Sequence, residues 1–295
     1  MSVKVSNGVR EDGSTIYTVA DICNGIKHAI KSGAEVVSIS ISGTSAIGYE
    51  EAIARAKEAG VLVVASAGNM AESAKRYPAA MDYVIAVGGT DENNKKCSFS
   101  NFGSWVNIVA PAVNYISTTT TSNTAYAKNI SGTSFSTPLV AAAIGEMLSV
   151  NPTLSVSQVK SYLYGKATDI GSQYFDCGLL NAGLSVQRAK YEDFKNSTVS
   201  LTNVKALTDN RIRIYWNDLD VYGPEKVLIY RATSKNGTYK KIKTISGDTI
   251  CNTYYTDSGL KAGTTYYYKV RIAMEYGEGH KYTPYSNIKG ITAKN

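Results

Sequence analysis

Residues 34 to 66 read AEVVSISISGTSAIGYEEAIARAKEAGVLVVAS. Ala34 to Ser42 is rich in β-branched residues and Tyr49 to Ala59 repeats its apolar residues at helical spacing, while Val61 to Ser66 is a short apolar run of the kind a buried strand needs. Strand, helix and strand in that order imply a crossover, hence a parallel sheet covered by helices on both faces. The pattern extends in both directions. Upstream, Val19, Ile22, Ile26, Ala29 and Ile30 recur at helical spacing between Thr18 and Ser32, and Gly33 supplies a stop. Downstream, Val84 to Val87 reads as a further strand, one helix begins near Ser134 and runs through LVAAAIGEMLSV, and another spans Ser155 to Tyr164 after the Asn151-Pro152 break.

The length of 295 residues accommodates two domains, and a content of 43% hydrophobic and 19% charged residues with only 6 Pro excludes disordered and collagen-like classes. Apolar runs such as Val61 to Ala65 fall far short of the roughly 20 residues a bilayer needs, so no membrane span is expected. The opening MSVKVSNGVREDG has no apolar core of a signal peptide, so none is expected in the chain as written. The net charge of +7 is unevenly placed: residues 1 to 192 carry 15 basic and 15 acidic side chains, and residues 193 to 295 carry 16 and 9. The basicity therefore belongs to the last third. Cys23, Cys97, Cys177 and Cys251 are scattered, without the spacing of a zinc site or a disulfide framework, and read as isolated thiols. Only His28 and His280 are available as imidazole bases.

Two stretches carry chemistry. Val61 to Asn69 (VLVVASAGN) is a strand that ends in small residues and then an amide, and the carboxyl end of a parallel strand is where open α/β sheets bind ligands. An amide there could donate to a developing oxyanion, although an Asn after a strand is more often a turn or cap. Ser131 to Val140 (SGTSFSTPLV) leads straight into an apolar helix. A Ser at a helix N-terminus sits among free backbone N–H groups that favour negative charge, which suits a nucleophile; the competing reading is that Thr133 or Ser134 caps the helix, with Pro138 in its first turn.

Together, AGN about 65 residues before GTS, with SFSNFGSWVNIVAPAV between them, resembles the subtilisin-like serine proteases (the S8 peptidase family) across nearly all of residues 1 to 192. Ser40-Ile41-Ser42-Gly43, Tyr77-Pro78-Ala79, Phe99-Ser100-Asn101-Phe102-Gly103 and Ala110-Pro111 match in order. The resemblance implies Ser134 as nucleophile and Asn69 as oxyanion-hole amide. Ser40, Ile41, Ser42 and Gly43 with Ala65, Ser66, Ala67 and Gly68 become the walls of a peptide cleft. It also implies a polypeptide substrate and an extracellular or cell-surface location; some members bind calcium, but no ligand cluster can be assigned, so no cofactor is expected. There are departures. Phe135 stands for the family's Met, Leu139 for the His of its Pro-His-Val run, and Ser42 for the second residue of its Leu-Gly pair. The family's catalytic Asp, in a D-x-G turn, and His, in H-G-T-H, precede the region that Val3 to Gly43 resembles, and neither motif is expected in this chain. His28 falls about 200° around its helix from Ile26, on the solvent side. The triad is expected to be incomplete and the chain inactive alone.

After about Lys190 the composition changes. YEDFKNST is polar, without apolar periodicity, and reads as a linker over residues 190 to 198. Beyond it, short Tyr, Ile, Val and Thr segments alternate with turn signals. Residues 197 to 295 resemble a fibronectin type III domain: Trp216 suits a core tryptophan, LIYRATSKNGTYKKI suits two strands joined at Asn236-Gly237, and Leu260 to Tyr266 has the spacing of a tyrosine corner. The expected fold is thus α/β, a partial subtilisin-like parallel sheet in residues 1 to 192, followed by an all-β immunoglobulin-like sandwich in residues 197 to 295. Twelve of the 22 tyrosines fall in the second part. They suit sheet packing, or else a carbohydrate-binding face, and the local basicity suits an anionic cell-surface polymer. No nucleic-acid partner is expected. The readings for the whole are the nucleophile-bearing part of a subtilisin-like endopeptidase, whose partner is its missing N-terminal half, or a non-catalytic binding or scaffold protein.

Overall fold

The computed structural model describes residues 1–11, 15–118, 125–196, 199–217, 226–246, 253–276 and 279–295. The chain divides into two compact units, Met1–Val186 and Gln187–Asn295.

The first unit opens with a short hairpin of β1 (Gly8–Val9) and β2 (Thr15–Ile16), followed by α1 (Val19–Lys31), β3 (Val36–Ile39), α2 (Glu50–Glu58), β4 (Leu62–Ser66), β5 (Ile85–Thr90) and β6 (Ile108–Pro111). A hairpin of β7 (Tyr115–Thr118) and β8 (Tyr126–Ile130) precedes α3 (Thr133–Val150), α4 (Val156–Gly165) and α5 (Ala182–Asn196), the last of which extends into the second unit. Strands β3, β4, β5 and β6 pair in that order, all parallel. Side chains alternate across a strand. Val63 and Ala65 of β4 therefore join Ile22 and Ile26 of α1 and Ala52 and Ile53 of α2 in one cluster, while α3 runs against β3 to β6 and buries Val140, Ile144 and Met147. The α/β core with a parallel sheet between helices is as the sequence implies.

Helix boundaries follow local chemistry. Thr18 caps α1 in a reciprocal capping box with Asp21, Ser155 does the same for α4 with Gln158, and Gly33, at a φ of +80°, ends the first helix. Among the described residues strand β3 pairs only with β4, and a groove of about 310 Å³ lined by Val3, Val5, Ile22, Ile39 and Ile41 runs beside it. The linker expected near residues 190 to 198 is helical where described: residues 190 to 196 are the end of α5, and residues 197 and 198 lie outside the described residues.

In the second unit, β9 (Leu201–Leu207), β10 (Arg211–Trp216) and β13 (Tyr254–Asp257) form one antiparallel sheet. The other sheet contains β11 (Lys226–Ala232), β12 (Lys240–Ser246), β14 (Thr265–Tyr276), β15 (Gly279–Tyr282) and β16 (Lys289–Thr292). Leu201, Ile212, Ile214 and Trp216 from the first meet Val227, Ile229, Tyr268, Val270 and Ile272 from the second in a single core. Tyr266, at the start of β14, accepts the Lys261 N–H at 3.1 Å on its hydroxyl, which pins the preceding turn to the sheet. Inside the core, Asp257 takes hydrogen bonds from Arg231 Nη1 and Tyr268 Oη, both at 2.8 Å, so its buried charge is compensated. Cys23, Cys97 and Cys177 are free thiols, and Cys251 lies outside the described residues.

Candidate active site

The site forms where the carboxyl end of β4 meets the N-terminus of α3. Beyond β4 the chain turns at Gly68, whose φ of +101° and crowded surroundings, with Asn101 Nδ2 2.8 Å from where a Cβ would lie, suit only glycine. Asn101, in the Phe99 to Gly103 stretch, holds this turn: its Nδ2 donates to the Ala67 carbonyl at 2.9 Å and its Oδ1 accepts from Met70 N at 2.9 Å. The turn delivers Asn69 to the start of α3. Asn69 Oδ1 accepts from both the backbone N–H and the hydroxyl of Thr133, each at 2.9 Å. With its oxygen engaged twice, the amide has one orientation, and its NH₂ is the end left to donate outward. Gly132 is required beside it, because a Cβ there would lie 3.2 Å from Asn69 Nδ2.

Ser134 is the second residue of α3, and its Oγ donates to the Ser40 carbonyl at 3.3 Å. Ser40 Oγ in turn donates to the Ser134 carbonyl at 2.8 Å. This exchange has a local cause. The helical donor for the Ser134 carbonyl would be the N–H of residue 138, and Pro138 has none. Ser40 supplies the missing donor from the end of β3 and so fixes the first turn of α3 against the sheet. Beside it, Phe135 stacks on Tyr115 with ring centroids 5.1 Å apart, and burial pushes the Tyr115 hydroxyl above its ordinary range.

The two expected walls differ. Ser40 to Gly43 is accessible, and Gly43 pairs backbone to backbone with Tyr77 at 2.8 and 2.9 Å. Ala65, Ser66, Ala67 and Gly68 are buried, because β4 lies between β3 and β5 with helices on both faces; they support the site from beneath. Thr133 was legible only as a cap, yet it is the centre of the arrangement: fully buried, it donates to Asn69 and accepts the Gly68 N–H at 3.2 Å on its hydroxyl.

Neither histidine is hydrogen-bonded to Ser134. His28 is exposed on α1, and His280 lies 2.7 Å from Lys226 Nζ in the second unit. Against the expectation that no D-x-G motif occurs, the chain contains three such stretches, at Asp169, Asp176 and Asp257, all after Ser134. Asp169 closes a local turn by accepting Gly171 N at 2.8 Å, Asp176 lies 3.5 Å from Cys177 Sγ, and Asp257 is held by Arg231 and Tyr268, so none of the three is bonded to an imidazole. Among the described residues no three His, Cys, Asp or Glu side chains gather, so the side chains present do not form the carboxylate cluster that a calcium ion would favour.

Comparison with known proteins agrees with this geometry. The family model for the subtilase family, Peptidase_S8, matches residues 2–183. The chain belongs to the subtilase family. It is 39% identical to Subtilisin DY from Bacillus licheniformis over 192 residues, covering 63% of this chain and 67% of that protein. It is 38% identical to Thermitase from Thermoactinomyces vulgaris over 179 residues, 60% of this chain and 62% of the relative. Against Subtilisin BL from Lederbergia lenta the identity is 39% and the chain spans 61% of that relative's length. Among solved structures, the prenylagaramide maturation protease PagA superposes with a TM-score of 0.54 at 28% identity, over 61% of this chain and 71% of that one. The patellamide maturation protease PatA gives 0.52 at 29%, over 59% and 70%. The chain spans about two thirds or less of the curated relatives it matches.

Proposed function

We propose that this subtilase chain supplies the nucleophile and oxyanion-hole part of a serine endopeptidase, with Ser134 as nucleophile and Asn69 as oxyanion donor, and that by itself it does not hydrolyse peptides. The observation that carries the reading is the doubly anchored Asn69 amide beside a helix-N-terminal Ser134. A donor fixed in advance and aimed at where charge develops is what acyl transfer requires. A base is required as well, and Ser134 Oγ is bonded to a carbonyl and to no imidazole. Without a general base the hydroxyl loses roughly 10²–10⁴ in rate from that contribution alone. The base and its orienting carboxylate are then contributed by a polypeptide segment carrying the family's Asp and His motifs, and the open edge of β3 with its apolar groove offers a place for such a segment to pair.

The test is fluorophosphonate labelling. The chain alone is expected to show no appreciable label at Ser134 and no peptidase activity. Adding a polypeptide that carries the D-x-G and H-G-T-H segments should restore both; Ser134→Ala should abolish the restored label, and His28→Ala should leave it intact. Strong labelling of the chain alone that disappears in His28→Ala would make His28 the base and overturn the reading. The bond from Ser134 Oγ to Ser40 also favours a second reading, a non-catalytic scaffold or cell-surface binding protein that docks peptide along Ser40 to Gly43. Peptide binding that survives Ser134→Ala, with no label under any complementation, supports it.

We further assign residues 197 to 295 to a fibronectin type III domain, on the strength of buried Trp216, the shared core of two antiparallel sheets and the Tyr266 hydroxyl on the Lys261 N–H. An extracellular or cell-surface location accords with this pairing of domains.

A further inference from the structure

The outer face of the sheet containing β11 and β14 carries charge in an arrangement that packing does not require. Along β14, Val270 and Ile272 enter the core, so Lys269 and Arg271 between them face outward, roughly 7 Å apart as residues two along a strand. Arg231, from the same sheet, is paired with buried Asp257, whereas neither Lys269 nor Arg271 is bonded to a carboxylate among the described residues. Tyrosines hold them instead. Lys269 Nζ lies 3.8 Å from the Tyr285 ring centroid and 4.6 Å from that of Tyr239. The Arg271 guanidinium lies 4.2 Å from Tyr282 and 4.8 Å from Tyr285, and its Nε donates to Tyr230 Oη at 3.1 Å. Of the five N–H groups of that guanidinium, only this one has an acceptor among the described residues.

A solvated surface cation needs no such cage, and ordering a Lys or Arg costs side-chain entropy that a packing role would have to offset. Two cations fixed by rings, with donors left over, are preorganised for an anion. We propose that this face binds a linear anionic glycan, a sugar polymer bearing carboxylate or phosphate groups, through Arg271 and Lys269, with Tyr282 and Tyr285 as their supports. The surroundings select among polyanions. A folded protein partner would need an apolar centre, and among the described residues the exposed large hydrophobics of this unit are Tyr254, Tyr282, Tyr285 and Ile288, a single aliphatic side chain among tyrosines. The bases of single-stranded nucleic acid would need free ring faces, but Tyr282 and Tyr285 already have cations over them and the edge of Tyr230 meets Tyr285 at 5.1 Å. Tyrosine hydroxyls around fixed cations match a polymer that carries its own hydroxyls beside each charge.

The test measures binding of the full chain to immobilised alginate, a glycerol-phosphate polymer, poly-L-glutamate, an oligo-dT and neutral dextran, at about 0.05 and 0.3 M salt. Binding to alginate or the glycerol-phosphate polymer, weakened by salt, is expected, and the stronger of the two identifies the anion. Arg271→Ala should weaken it about tenfold or more, and Arg271→Lys should weaken it less but measurably, because the charge remains and the planar fork does not. Lys205→Ala, on exposed β9 of the other sheet, should leave it unchanged. Circular dichroism of each variant checks folding, and Lys269→Gln replaces Arg271→Ala if that variant misfolds. Absence of salt-sensitive binding to both glycans overturns the proposal, as does equal loss in Lys205→Ala, or equally tight binding of poly-L-glutamate or oligo-dT with the same Arg271 dependence.

Discussion

Replacing Thr133 with Val keeps the shape of a fully buried side chain and removes one hydroxyl. That hydroxyl donates to Asn69 Oδ1 at 2.9 Å and accepts the buried Gly68 N–H at 3.2 Å. Losing the first interaction costs about 1 kcal/mol, since Thr133 N still holds the amide; stranding the Gly68 N–H costs about 1–3 kcal/mol more, for a total of roughly 2–4. With an m-value of about 2 kcal/mol/M in urea, the midpoint of the first unit should fall by about 1–2 M. The two tryptophans allow this to be read separately, because Trp105 lies in the first unit and Trp216 in the second. In a Trp216→Phe background, Trp105 fluorescence follows only the unit that carries Thr133. Thr137→Val is the control: its hydroxyl returns to the Thr133 carbonyl of its own helix at 2.8 Å, and its loss should cost under about 1 kcal/mol. A Thr133→Val midpoint within error of the Thr137→Val midpoint would refute the claim that Thr133 ties the strand end to the helix.

Gly132→Ala should displace the Asn69 amide, since a Cβ there lies 3.2 Å from Nδ2; in the complemented enzyme labelling at Ser134 should slow, and because Gly132 holds a φ of +157° the first unit should also melt at a lower temperature. In the second unit, Tyr268→Phe removes one of two donors to buried Asp257 and should cost about 1–2 kcal/mol, whereas Arg231→Met leaves that carboxylate without its cation and should cost about 3–5; equal losses, followed by Trp216 fluorescence, would show that the triad is not coupled as drawn. Alkali should destabilise the first unit before its surface charges matter. Burial pushes the Cys97 thiol up to about 11 and the Tyr49 hydroxyl up to about 12, so the folded state keeps protons that the unfolded state releases above about 9 and 10. These contributions are fully present below pH 9 and decline between about 9 and 12, and a urea midpoint of the first unit unchanged across that range would contradict them.

What the sequence disclosed, and what it hid, divides along a physical line. Elements with an apolar run or period of their own were legible: α1 between Thr18 and Ser32 from its helical spacing, and β4 from its VLVVAS run. Elements held mainly by their neighbours were not. Strand β6 is four residues ending in Pro111, paired through Val87↔Ile108, and has no period to detect. The end of α5 is polar because its anchoring contact, Ala189, comes earlier in the helix. The cleft wall at Ala65 to Gly68 shows the same limit: the residues were recognisable, but their burial depends on β3 and β5 lying on either side, which one strand cannot reveal.

The site follows the same logic at smaller scale. Asn69 and Ser134 could be singled out because amides and hydroxyls at strand and helix ends have few structural uses that also suit chemistry. What makes them a pair is Thr133, readable from sequence as a cap, although the N-cap position is taken by Gly132 with no side-chain bond. Freed from capping, the Thr133 hydroxyl turns to Asn69 and Gly68, while the orphan carbonyl created by Pro138 is met by Ser40. Each of the two helix-end defects is thereby filled by a residue of the strand ends beneath it. A proline in the second turn of an apolar helix, read together with a Ser at the end of a preceding strand, is the signal that could have found this arrangement. It implies that the geometry of Ser134 is set by the sheet and the helix alone, before any base is present, so that complementation needs to supply only the base and its orienting carboxylate.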